Sequence, residues 1–322
     1  MPIVKIISDE RGAAFTAESF LDALSLRQDK WWDGDRQKYI FRGHQDSSWN
    51  LVPTAFRDPA PKILGEVMKY GEALRRENNL NPDPCGVRLW AIAQLHYQFA
   101  KMSVKMGFRG RVKFCDGYPQ ERTVYESLYN FESFFCPYNL DTRDWDSAID
   151  FLALAQHHGI PTSLIDWTLN PLYALHFATR DWLINCSQTP IAVYAHPSHG
   201  SFSQIANLPD GEIQREVAVV ETDLAMNKYA FNQNGCFTLE RINDVKNYYI
   251  NHGRYYSIDE IEKIEDENFF IYKYILSQSE VPRLRMMLDR VGIMDNMLMP
   301  TLDKATETIE LIWKTRNISW RK

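Results

Sequence analysis

The chain has little of what usually advertises a function. Only five of its 322 residues are cysteine, and Cys85, Cys115, Cys136, Cys186 and Cys236 are widely spaced with no CxxC pair. An odd number without paired spacing suggests neither a disulfide framework nor a zinc knuckle, and a reducing cytoplasm fits it best. No long uncharged apolar run reads as a membrane span, and the opening MPIVKIISDE lacks the basic region and apolar core of an export signal. Excess positive charge is missing too, with 36 Lys and Arg against 42 Asp and Glu, a formal net charge of -6. That balance argues against a protein that coats nucleic acid or an anionic membrane by its overall charge, and leaves open only a local basic groove. No repeat, low-complexity tract or long Gly/Ser or Pro-rich linker divides the chain. Ser163 lacks a GxSxG elbow, and Cys236 has no base fixed beside it, so a nucleophilic triad has no signature.

What is present is an ordinary globular composition, 45% hydrophobic and 24% charged, in a chain long enough for one large domain. IVKII reads as a short strand and FTAESFLDALSL as an amphipathic helix. YIFRG reads as a strand ending at Gly43, PIAVYAHP as another, and Asn234-Gly235 as a turn leading into a third. The patterning predicts an α+β fold, a single mixed domain with a central sheet. Its core spans about 39–241, a helical insertion about 61–138, and a C-terminal helical cap about 257–322.

The most informative stretch is FLALAQHHGIPTSLIDWTLNPLYALHFATR, from Phe151 to Arg180. It reads as two apolar helical runs joined by an irregular polar centre holding His157, His158, Thr162, Asp166, Trp167, Thr168 and Asn170. Gly159, Pro161 and Pro171 stop the chain from continuing as helix. Arg42, at a strand end before a glycine, is placed to offer a planar two-point contact to a pyrophosphate or carboxylate, or else to pair with Asp46 or Asp166. The cluster Lys101, Lys105, Arg109, Arg111 and Lys113, with Phe108 and Phe114, suits a nucleic-acid backbone and its bases, or a solvated helix end. Each residue also has a structural reading: His157 as a core histidine, Asp166 as a cap for the helix near Pro171, Trp167 as core filling. His157, His158 and Asp166, with His196 or His199, carry the right ligand types for a metal, but adjacent histidines diverge on regular structure.

IFRG at 40–43, WNLVPTAFR downstream, LALAQHHGIPTSLIDWTLNPLYALHFA and then NQNGCFTLER resemble, in order from about Tyr39 to Arg241, the successive signatures of the FRG domain family. The tail SEVPRLRMMLDRVGIMDNMLMPTLDKATETIE resembles the family's C-terminal pattern. Ser163 stands where the family usually has arginine, a role that Arg180 or Arg57 can take over. The family is found largely in bacteria and phages and is connected with toxin and phage-defence systems.

The resemblance implies an ADP-ribosyltransferase-like split sheet with NAD as substrate and no metal. Arg42 would hold the pyrophosphate, Trp167 or a neighbouring aromatic would stack on nicotinamide, and His158 or Asp166 would position the acceptor. Gln233 or Glu240 would supply the late amide or acid, so the catalytic set is Arg42, His158, Asp166, Gln233 and Glu240. Gly43, His157, Thr162, Trp167, Thr168, Asn170 and Phe237 would line the NAD site with Arg42. A ribosyl cation needs fixed negative charge nearby, which Asp166 and Glu240 can supply and Gln233 cannot. The acceptor would be RNA or DNA guided by the basic cluster, and an antitoxin or chaperone is an expected partner. A non-catalytic module binding a nucleotide or a phage component, and a metal-dependent nuclease, are the alternatives.

Overall fold

Aromatic and β-branched residues favour a pleated, half-buried surface, and the run Tyr39, Ile40, Phe41 lies at the middle of the sheet. The computed structural model describes residues 4–8, 12, 14–106, 145–184, 187–198, 201–208, 211–222, 228–240, 242–260 and 270–298, with the helical positions 306, 308, 309 and 313. The strands are β1 (Val4–Ile7), β2 (Trp32–Asp33), β3 (Arg36–Gln37), β4 (Tyr39–His44), β5 (Leu164–Thr168), β6 (Ile191–Pro197), β7 (Ser201–Leu208), β8 (Gly211–Val220), β9 (Gly235–Glu240) and β10 (Ile271–Leu276). The helices are α1 (Ala17–Ala23), α2 (Lys62–Glu77), α3 (Pro84–Lys105), α4 (Trp145–His157), α5 (Pro171–Ile184), α6 (Lys228–Asn232), α7 (Ile242–His252), α8 (Val281–Arg290) and α9 (Asp295–Leu298).

Eight strands form one mixed sheet in the order β1-β10-β6-β4-β5-β9-β8-β7, in which only β1 and β10 run parallel. Side chains alternate between its faces, so neighbours in sequence enter different cores. Phe41, Val193 and Tyr274 pack with Phe20 of α1, Ala174 and Ala178 of α5 and Leu284 of α8. Ile40, Tyr194, Ile165 and Trp167 pack on the other face with Leu64 of α2, Trp90 of α3 and Tyr248 of α7. A third cluster sets Leu152 and Ala153 of α4 against Leu164 and Phe237.

Two local devices fix the elements beside the site. Helix α5 begins with Pro171 after Asn170, whose side-chain oxygen accepts from the Leu172 N–H at 3.0 Å, so both proline and cap mark its start. The helix then lies so close to β4 that a Cβ on Gly43 would stand 1.9 Å from the Ala174 carbonyl oxygen. Only glycine fits there.

Two expectations change. Residues 164–168 are strand β5 and not an irregular centre: four of the five side chains are buried and only Asp166 is exposed, so no polar alternation betrays the strand. The region read as a helical cap contributes β10, bonded between β1 and β6 inside the sheet, before α8 begins. Its sequence IYKYIL alternates only in part, and the helical pattern after it dominates the reading. Helices α2 and α3 occupy the expected insertion as far as residue 105, and residues 107–144 lie outside the described part.

Candidate functional site

The sheet opens between β4 and β5. Strand β4 pairs with β6 over its whole length, from Tyr39↔Pro197 to His44↔Ala192, but with β5 only at Phe41↔Thr168. Beyond that pair the two strands part, and Arg42 stands at the fork. Its Nη1 donates to the Asp166 carbonyl oxygen at 2.7 Å, a backbone group that the missing ladder would leave without a partner, and lies 3.5 Å from Asp166 Oδ2. The Nε of Arg42 donates to His44 Nε2 at 2.9 Å.

That contact fixes the His44 tautomer. Nε2 must accept, so the proton sits on Nδ1, which donates to the Trp49 carbonyl oxygen at 3.2 Å. Burial, and next the charge of Arg42, hold His44 well below its ordinary pKa, and it stays neutral. One imidazole thereby links the Arg42 guanidinium to the backbone of the 46–49 turn.

The fork opens into a cleft of about 1050 Å³ lined by residues of β4, β5, β9, the loop after β4, α4 and α5. Arg42, Arg57, Arg180 and Arg254 all face it. Desolvation, followed by the charge of Arg42, lowers the Arg57 pKa against the opposing pull of Asp166, so two cations crowd one space. Such a pair favours an anion between them.

Asp166 supplies the negative charge at the fork, with its side chain 57% exposed. The Gln156 amide donates to Asp166 Oδ1, while Gln156 Oε1 accepts from the Thr162 hydroxyl. Thr162 Oγ1 in turn accepts from the Leu164 N–H at 3.2 Å, and its own N–H donates to Thr54 Oγ1 at 3.1 Å. This chain sets which face of the Gln156 amide meets the carboxylate. His157 also lines the cleft, and burial, then His158, lower its pKa while Asp166 pulls it up. The other lining acids have nearby partners: Asp58 meets Arg88, and Glu260 accepts from Arg254 and from the Ser257 N–H.

Of the residues singled out from sequence, Arg42, Gly43, His157, Asp166, Trp167, Thr168, Gln233 and Phe237 come together around this cleft. Thr168 Oγ1 donates to the Gln233 carbonyl oxygen at 2.6 Å, tying the end of β5 to the turn before β9, where Asn234 has a φ of 46°. Trp167 is 3% exposed, and its indole N–H donates to Thr238 Oγ1 at 2.9 Å, so its ring is held in the core with only an edge at the cleft.

Four of the expected residues stand elsewhere. His158 is exposed beside Phe99, with ring centroids 6.1 Å apart. Thr162 is buried and serves Gln156, and Asn170 caps α5. Glu240 is buried, accepting from the Tyr248 and Tyr255 hydroxyls at 3.1 and 2.9 Å. Lys101 and Lys105 are exposed on α3, while Arg109, Arg111, Lys113 and His199 lie outside the described residues. His196 is buried, with Nδ1 2.7 Å from the Pro197 carbonyl oxygen. Among the described residues no three His, Cys, Asp or Glu side chains converge as metal ligands would, and no helix is long and apolar enough to cross a membrane.

Sequence reasoning missed His44, Trp49 and Gln156. His44 was findable as the residue two beyond Arg42 on the same strand face, and Gln156 as the polar interruption of the apolar run LALAQ. Trp49 offered no periodic signal.

An arginine-lined cleft at a split in a mixed sheet, with one carboxylate at the fork, has the charge to suit an anionic ligand. The FRG domain family model matches residues 108–184, so the chain carries an FRG domain there. The match takes in α4, β5 and α5, and therefore Gln156, His157, Asp166 and Arg180, while Arg42 and β9 lie outside it. No curated protein and no solved structure matches the chain.

Proposed function

We propose that the cleft binds NAD as substrate and that the protein is an ADP-ribosyltransferase-like enzyme of a toxin or phage-defence system. The observation that carries this reading is the fork itself: Arg42, oriented by His44, stands beside Arg57 and within 3.5 Å of the exposed Asp166 carboxylate. The paired guanidiniums suit a pyrophosphate, and the carboxylate suits the charge that appears when a glycosidic bond to nicotinamide breaks.

In this reading the bond between the ribose C1′ and the nicotinamide nitrogen breaks first. Its electron pair leaves with nicotinamide, which departs neutral. The oxocarbenium ion at C1′ is stabilised by Asp166, held in place through Gln156 and Thr162. An acceptor oxygen or nitrogen then attacks C1′ and gives its proton to Asp166 or to neutral His157. Glu240 takes no part, because its carboxylate is buried among tyrosine hydroxyls. Gln233, at the turn before β9, orients a ribose hydroxyl.

Nucleic acid is the proposed acceptor, with Lys101 and Lys105 on α3 as part of its track. The test is incubation of the protein with NAD labelled in its ADP-ribose part and separate pools of protein, RNA and DNA. Label in a nucleic-acid pool, absent with Asp166→Asn, supports the reading; label in no pool and none in free ADP-ribose defeats it.

A further inference from the structure

The cleft has a second feature that neither composition nor the strand pattern announces. Of its aromatic lining residues, Phe41, Phe56, Trp167, Phe237 and Tyr255 are buried, with exposures of 0, 4, 3, 6 and 9%, and Phe177 is half-buried. Trp49 lines the same cleft and is 51% exposed. A half-exposed indole in a cleft offers a surface on which a planar heterocycle can stack.

Its backbone, by contrast, is held firmly. The Trp49 N–H donates to the Asp46 carbonyl oxygen at 3.2 Å, closing a turn in which Ser48 N–H and Oγ both donate to Asp46 Oδ1 at 2.8 and 2.7 Å. The Trp49 carbonyl oxygen accepts from His44 Nδ1 at 3.2 Å and from the Tyr194 hydroxyl at 3.0 Å. The indole centroid lies 6.2 Å from the His44 ring, whose Nε2 is the acceptor for Arg42. His44 therefore spaces an open aromatic face from a guanidinium, and the two are held by one rigid unit rather than by independent loops.

We infer that Trp49 is the stacking platform for the base of a nucleoside diphosphate whose phosphates sit on Arg42 and Arg57. The arrangement is read through the proposed NAD site and deepens it by assigning the base. Base and phosphate recognition are coupled through His44, so a ligand needs both parts to gain full affinity. Stacking on an aromatic face tolerates any base, which makes the site selective for nucleotide over bare phosphate more than for one base over another.

The test is isothermal titration of the full chain with ADP, ribose 5-phosphate and inorganic pyrophosphate, for wild type, Trp49→Ala, Trp49→Phe and Arg42→Ala. Trp49→Ala should weaken ADP binding about 10-fold or more, leave pyrophosphate binding within about 2-fold, and be largely restored in Trp49→Phe. Equal loss for ADP and pyrophosphate, or no loss for ADP, overturns the stacking role; so does loss with Trp49→Phe as severe as with Trp49→Ala. ADP binding that needs Trp49 and Arg42 in a protein that leaves NAD intact would uphold this assignment while removing the transferase reading. Failure of the wild type to bind ADP overturns it. The exposed position of Trp49 makes unfolding an unlooked-for outcome, and unchanged thermal midpoints in the variants verify that.

Discussion

The contact between α5 and β4 at Gly43 determines whether the fork can exist, and Gly43→Ala tests it. The added Cβ would lie 1.9 Å from the Ala174 carbonyl oxygen and 2.8 Å from the Ala178 nitrogen, whereas ordinary contacts begin near 3.4 Å. Both obstacles are backbone, so no side chain can rotate away, and the helix must retreat by about 1.5 Å from the central strand. That shift would loosen Phe41 from Ala174 and Ala178 in a fully buried cluster. Overpacking of this kind costs about 1–3 kcal/mol, and an obstacle made of backbone places the loss at about 3 kcal/mol or above. Urea unfolding should show it as a lower midpoint with an unchanged slope. Ala174→Gly should not rescue the variant, because the obstructing atom is the carbonyl and not the methyl. A loss under about 1 kcal/mol, or full rescue by Ala174→Gly, would refute the close packing.

Further outcomes concern buried titratable groups. His96 and His196 are fully buried, and desolvation brings each down to about 4, from an unfolded value of about 6.5. Their stabilising contribution is complete above about pH 6.5 and is lost as the pH falls toward 4, because the unfolded chain then binds protons that the folded one refuses. Urea midpoints should fall between pH 7 and pH 5, by on the order of 2 kcal/mol for each group, and His196→Phe should flatten the fall; a profile with no such fall contradicts the burial. On the far side of α5, Arg285 is 1% exposed, donating from Nη1 to His176 Nδ1 at 2.8 Å and from Nε to Asp289 Oδ1 at 2.9 Å. His176 Nε2 then donates to Asp295 Oδ1 at 2.9 Å, and Arg180, which lines the cleft, reaches the same oxygen at 3.0 Å. Arg285→Met should cost about 3 kcal/mol in unfolding experiments, since it strips the buried His176 imidazole, the Ile293 carbonyl and the half-buried Asp289 carboxylate of their donor; a neutral result would show the network to be dispensable.

YIFRG, which alternates, and PIAVYAHP, a longer unbroken apolar run between turn residues, were legible in the sequence, and so was the turn at Asn234, because their patterns are local. LIDWT was not, because β5 lies between β4 and β9 with both faces covered, and burial on both sides erases the alternation that reveals a strand. At the site, Arg42 and Asp166 were visible as polar groups in apolar runs, and they meet across 124 residues. Their supports were not visible: Gln156 matters because Thr162 holds its amide, and His44 because a tautomer joins Arg42 to Trp49. Glu240 illustrates the reverse. A strand-end carboxylate reads as catalytic until two tyrosine hydroxyls from α7 and the segment after it are seen to close around it.

The most direct measurement is nicotinamide release from NAD by the purified protein beside Arg42→Ala and Asp166→Asn, each verified as folded by its thermal midpoint. The account predicts release by the wild type and a loss of at least about 100-fold in both variants, since one removes the pyrophosphate clamp and the other the charge that stabilises the ribosyl cation. Release that persists in either variant, or none from wild type even with nucleic acid present as acceptor, would contradict it.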